Sequence, residues 1–218
     1  PFIERHFPNT QGNLYEGALS DFRPDWHGTF KKKSNESEAD WSDIHAVIDA
    51  LEDPSSAGLE ALADQIDLDL FLTFWATEVL VAHWDGYSGN KNNFYIYRRS
   101  DGRFVFIPWG ADDVLSSNDV PIFDTFRSPL SVNAHGAIAH HLYQEETTRQ
   151  LYVDRLKEVL DLVWDEDELV ALLDQMAAIV QTHALASTRT NAAGAAAQRR
   201  SFIRGQRARI LADIEPQP

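Results

Sequence analysis

Two runs of aromatic and β-branched residues flank an Asp-Gly pair in NFYIYRRSDGRFVFIPW, residues 93–109, and no other stretch constrains this chain as much. Alternation of period two around Asp-Gly is the strongest short-range hairpin signal, because a type I′ turn needs positive φ at both central positions. The spacing predicts antiparallel strands over 94–99 and 103–108 joined by such a turn. Pro108 ends the ladder, since it has no amide to donate.

The chemistry-bearing residues crowd the open end of that hairpin. Asp85, Asn90, Asn92 and Asn93 precede its first strand, and Asp112 and Asp113 follow its second. An antiparallel pair returns the chain to its starting end, so segments 85–93 and 110–113 are expected to meet. Carboxylate and amide oxygens on converging loops suit a hard cation such as Mg²⁺ or Mn²⁺, above all one shared with phosphate oxygens. The order also fits phosphoryl transfer. In protein kinases a catalytic Asp is followed five residues later by a metal-binding Asn, then by a hairpin and a metal-binding Asp. Here Asp85, Asn90, the hairpin and Asp112 stand in that order. Asp85 would accept the proton of the acceptor hydroxyl, Asn90 would offer the cation a neutral oxygen, and Asp112 would face the metal-bound phosphates. A structural reading stands beside this one, in which Asp85, Asn90 and Asn92 build turns and cap the strand. Tyr87 is read chiefly as a packing residue, and Trp109 as an anchor of its loop to the core.

The rest of the chain reads as the support for this hairpin. A hydrophobic content of 44% in 218 residues argues for one folded domain with a core. Apolar residues at helical spacing predict helices from Trp41 to Leu51, around Leu59 to Ile66, and from Leu68 to Ala82 with Asp67 as N-cap. Three more are expected over about 149–164, 166–182 and 190–213, the middle one opened by the acidic DEDE. Residues 1–35 read as turns and short strands, Lys31 to Lys33 as a solvated run, and 116–147 as loop-rich. The fold class expected is therefore α+β, mainly helical.

Composition removes several function classes. There is no cysteine, which excludes disulfides and thiolate metal sites. Residues 1–188 hold 32 acids against 13 Lys and Arg, so the body carries a net charge of −19 and is no platform for nucleic acid. Residues 189–218 hold six Arg against two acids, which reads as a helix laying its charges against the acidic body. No run of 18 apolar residues exists, and LDLFLTFWATEVLVAHW, interrupted by Asp69 and Glu78, reads as a buried helix without a membrane span. The histidines of HGAIAHH, 135–141, lack a ligand spacing that a metal would demand.

Taken in order, GNLYEG, FKKKSNESEADWSDIHAVIDAL, IDLDLFLTFWATEVLVAHWDGYSGNKNNFYIYR, GRFVFIPWGADDVL and RRSFIRGQRARIL resemble the CotH kinase family, named for the bacterial spore coat protein H. The resemblance spans nearly the whole chain, and WDGY…NNFYIY…FIPWGAD is its specific part. It implies an atypical protein kinase that uses ATP and Mg²⁺ or Mn²⁺ to phosphorylate Ser on a secreted or surface protein, outside the cell or at its surface. Residues 1–218 are then expected to form the C-terminal lobe, with the nucleotide-binding lobe upstream and the fragment inactive alone. By position Asp85 matches the catalytic Asp and Asp112 the metal-binding Asp of the family's W-D-x-D motif. Asn90 by kinase spacing, or Asn93 by its place before FYIY, matches the metal-binding Asn. Gly110 stands where that motif has its first acid. The alternatives are a pseudokinase or a structural surface module that at most binds a cation.

Overall fold

A computed structural model describes residues 2–116 and 132–214. The described chain is α+β and mainly helical. In order it forms α1 (Phe2–His6), β1 (Leu14–Gly17), a 3₁₀ turn (His27–Thr29), β2 (Phe30–Lys32), α2 (Ser42–Glu52), α3 (Ser56–Gln65) and α4 (Leu68–Val81). There follow β3 (Phe94–Arg98), β4 (Phe104–Pro108), α5 (Ala137–Gln144), α6 (Glu146–Val163), α7 (Glu166–His183) and α8 (Ala186–Ile214).

The hairpin forms where its alternation places it. β3 and β4 pair antiparallel from Phe94 against Pro108 to Arg98 against Phe104, and β1 and β2 extend the sheet to the order β2-β1-β3-β4. Its turn differs from the expectation. Gly102 has φ +83°, but Asp101 is not in the left-handed region, so the connection is not type I′. Instead Gly102 N donates to Arg99 O, Arg99 N donates to Arg103 O, and the loop takes three residues with glycine at its left-handed position. The reason lies in Asp101, whose carboxylate accepts the Arg103 N–H at 3.1 Å and pairs with the Arg99 guanidinium. That side chain locks an Asx-type turn that needs only one positive φ.

One face of the sheet supplies the aromatic core. Phe30, Phe94 and Phe104 are almost wholly buried, and Phe106 lies 4.9 Å from Phe71 of α4, ring to ring. Each such ring withdrawn from water contributes about 1.5–3 kcal/mol. α4 is apolar on nearly every side and runs between the sheet and α6, where Trp75 stacks on Tyr152. It begins at Asp67, whose carboxylate accepts the Leu70 N–H, and stops at Ala82, which turns left-handed at φ +51°. That stop delivers the chain to the residues before β3.

Three local expectations are corrected. The lysine run is no solvated loop: Lys32 is buried, donates to Glu38 O and lies over the rings of Tyr15 and Trp41, while Lys33 pairs with Glu16 at 2.6 Å. Period-two alternation within FKK puts Lys32 on the core face of β2, where the aromatic rings take its cation. α1 and α5 were not read from sequence, because five residues are too few for a period and three histidines hid the buried face of Ile138, Ala139 and Leu142. Residues 117–131 of the expected 116–147 loop lie outside the described residues. The Arg-rich end behaves as expected: α8 lies against α7, with Arg200 paired to Asp174, Arg204 to Asp167 and Arg207 to Asp161.

Candidate functional site

At the open end of the hairpin the backbone from His83 to Asn93 winds into a tight loop. Asn90 N donates to Trp84 O and Lys91 N to Gly86 O, each within 2.9 Å. Lys91 and Asn93 both take left-handed φ values, +59° and +48°, which Asn tolerates better than most residues. The loop is tied down from outside as well. Ser20 N donates to Lys91 O, and His135 N donates to Ser88 O.

Asp85 sits half-buried at the centre. Its Oδ1 accepts from Asn90 Nδ2 at 2.8 Å, and its Oδ2 accepts from Asn93 Nδ2 at 2.7 Å and from Asn92 Nδ2 at 3.1 Å. An ionised carboxylate has about four acceptor positions, so these three amides leave one, on Oδ1. Three of the residues named from sequence are therefore brought together: Asp85, Asn90 and Asn93. Asn92, the third amide, stands among the oxygen-bearing residues of the sequence but has no role there beyond a turn.

The second arm of the site is the turn after β4. Gly110 has φ +60°, and a Cβ placed on it would stand 2.7 Å from Asn93 Cγ and 2.9 Å from its Nδ2. The turn thus packs directly on the amide that holds Asp85. Trp109 N also donates to Asn93 O at 3.2 Å, and Trp84 Nε1 donates to Asp113 Oδ2 at 3.3 Å. Segments 84–93 and 109–113 meet as the hairpin geometry required. Asp112 lies exposed on this turn and makes no hydrogen bond or ion pair among the described residues, while Asp113 faces Arg199 at 3.7 Å. Trp109 is no core anchor, being 57% exposed with its ring edge-on to Tyr95. Among the described residues no three His, Cys, Asp or Glu side chains cluster as a metal site.

Two buried acids beneath the loop were missed as functional candidates. Asp21 is fully buried, and its Oδ1 accepts from the Tyr87 hydroxyl at 3.2 Å and from Ala137 N at 2.9 Å. Tyr87 is accordingly a buried packing residue, and burial, then the neighbouring Asp21, pushes its hydroxyl pKa well above the usual range. Glu78, on α4, accepts from Tyr87 N at 3.0 Å and Ser88 N at 2.8 Å. Burial pushes its carboxyl upward, against the opposing pull of His83 and of those amides. The signal for Glu78 was in the sequence: it is the lone carboxylate within the apolar stretch FLTFWATEVLV.

The family model described as CotH kinase protein matches residues 1–202. The chain belongs to the CotH kinase family. No curated protein matches it. Family membership gives this CotH chain a kinase-like function at the coarse level. Within the fold it puts the matched segments WDGY, NNFYIY and FIPWGAD on the loop, strand and turn that converge around Asp85.

Proposed function

We propose that this chain carries the catalytic loop of an atypical protein serine kinase, a kinase C-terminal lobe that moves the γ-phosphoryl group of ATP onto a serine of a partner protein. The observation that carries the reading is the Asp85 carboxylate, held by three amides at the open end of the hairpin with one acceptor position left on Oδ1. The serine hydroxyl donates its hydrogen bond there. As its oxygen bonds to the γ-phosphorus, the proton passes to Asp85, the bond to the bridging oxygen breaks, and ADP leaves.

The donors at hand fit a hard divalent cation. Asp112 offers an exposed carboxylate with no partner among the described residues, and Asn90 and Asn93 each carry an amide oxygen beside the nitrogen that serves Asp85. These residues would hold Mg²⁺ or Mn²⁺, which when bound neutralises charge on the β- and γ-phosphates. Triphosphate positioning is most of such catalysis, and we assign it to a nucleotide-covering lobe outside residues 1–218. The resemblance further points to an extracellular or surface acceptor protein.

A second reading rests on Gly110. Asn93 fills the space that an acidic side chain would need there, which leaves a single unpaired carboxylate on this arm and favours a pseudokinase that binds partner or cation without transfer. One experiment separates the two. Full-length protein with Mn²⁺ and γ-labelled ATP should label protein serine, and Asp85→Ala or Asp112→Ala should each abolish labelling, with thermal unfolding unchanged in Asp112→Ala and lowered in Asp85→Ala, which frees three amides. Equal labelling by wild type and both variants rejects the kinase assignment.

A further inference from the structure

The two arms of the site are joined from below by a pair of side chains that the proposed chemistry does not use. Glu78 and His83 are each 2% exposed, the first on the last turn of α4 and the second just past its end. Glu78 reaches the Asp85 arm, since its two carboxylate oxygens take the N–H groups of Tyr87 and Ser88 separately. His83 reaches the other arm. Its Nε2 lies 3.0 Å from Trp109 O, and because a carbonyl only accepts, Nε2 carries the proton and donates. Trp109 immediately precedes the Gly110 turn that bears Asp112. The pair meets at Gly86, where an added Cβ would stand 2.2 Å from Glu78 Oε1 and 2.9 Å from His83 Cδ2. Glu78 O also accepts the His83 N–H at 2.8 Å.

We infer that Glu78 and His83 are positioning residues that fix the Asp85 loop and the Asp112 turn to one rigid base, the end of α4, and so set how the two arms face each other. The inference deepens the kinase reading and rests on it for the roles of Asp85 and Asp112. The chemistry argues for it over a merely structural role. A carboxylate is the one side chain that can accept two backbone N–H groups at once from adjacent residues while donating nothing, and apolar residues of equal volume would fill the space without holding either arm. Side chains that orient ligand-bearing groups from behind typically change metal affinity by about 10–100-fold when altered.

The test uses the full-length protein and Mn²⁺ alone as probe, with amide hydrogen exchange as the second readout. Glu78→Gln keeps the shape but turns an N–H donor toward one of the two backbone N–H groups. It should speed exchange at Tyr87 and Ser88 and weaken Mn²⁺ binding about 10-fold, by analogy with other groups that orient metal ligands. His83→Phe should weaken Mn²⁺ binding and leave exchange at Tyr87 and Ser88 unchanged, whereas His83→Gln, whose amide nitrogen reaches the place of Nε2, should restore binding. Wild-type exchange in Glu78→Gln overturns the inference, as does equal Mn²⁺ affinity in the phenylalanine and glutamine variants at 83. If Glu78→Gln does not fold, the pair of variants at 83 decides. If wild type neither binds Mn²⁺ nor transfers phosphate, the kinase reading fails, and exchange at Tyr87 and Ser88 alone decides whether Glu78 holds the loop.

Discussion

Replacing Gly110 by alanine should be far more costly than a turn position on the surface suggests. Two terms are worked from the structure. Gly110 has φ +60°, where an L-residue is disfavoured by about 1–2 kcal/mol. The added Cβ would also lie 2.7 Å from Asn93 Cγ, so Asn93 must swing away and release its hydrogen bond to Asp85. A hydrogen bond to a charged group is worth about 1.5–3 kcal/mol, which brings the expected loss to about 2.5–5 kcal/mol. Urea unfolding with an unchanged m-value would measure it. The decisive comparison is the same substitution in an Asn93→Ala background, where the clashing Cγ and Nδ2 are gone and only the backbone term of about 1–2 kcal/mol remains. A Gly110→Ala cost under about 0.5 kcal/mol, the range of neutral surface changes, would refute the reasoning. So would an equal cost in both backgrounds. The same geometry predicts that Gly110→Asp, which writes the family's acid back into the motif, displaces Asn93 and weakens any cation binding at the site.

Two further outcomes follow from the buried network beneath the loop. Tyr87→Phe leaves the Ile138 N–H without the hydroxyl that accepts it and Asp21 without one donor, and should cost about 1–3 kcal/mol in urea unfolding; a cost near zero would remove Tyr87 from the loop's support. Burial, and for His140 also the neighbouring His141, Arg23 and His135, holds the pKa values of His140 and His141 below 6.5. Their neutral forms thus favour the fold: this stability is present above the unfolded value and lost as pH falls through the folded one. Wild-type urea midpoints should drop on acidification, a double Gln variant at 140 and 141 should drop less, and identical slopes would reject the assignment.

What was legible in the sequence was whatever a period or a cap encodes. The hairpin, the six main helices and the Asp67 cap all follow from local spacing, and the convergence of 85–93 with 110–113 follows from the hairpin. What was not legible depends on side chains meeting across the fold. Asn92 looked like its neighbours in a turn-rich run, and only the left-handed backbone at Lys91 and Asn93 aims all three amides at one carboxylate. In the sequence Glu78 reads as a charge that breaks an apolar run, although a carboxylate buried in such a helix must find donors, and it finds them in the amides of the next loop. The Asp-Gly pair predicts a positive φ at Asp101, whereas Asp101 contributes a side-chain hydrogen bond.

The choice of amides around Asp85 follows from what the proposed base has to do. A guanidinium in the same place would satisfy both carboxylate oxygens with a bidentate pair and neutralise the charge, leaving the group held but poorly able to take a proton. Neutral N–H donors fix the orientation and leave the charge in place. The chain carries 19 Lys and Arg, yet none forms an ion pair with Asp85 among the described residues, and cations near the site are directed elsewhere: the buried Lys91 of the loop itself donates to Gly89 O, Arg23 pairs with Asp21 and Arg199 with Asp113. Substituting Asn92, the longest of the three contacts at 3.1 Å, by lysine therefore separates the two demands. A cation there should strengthen the fold through an ion pair with Asp85 while lowering phosphoryl transfer. A more stable Asn92→Lys protein with undiminished transfer would show that the charge on Asp85 is not what the site uses.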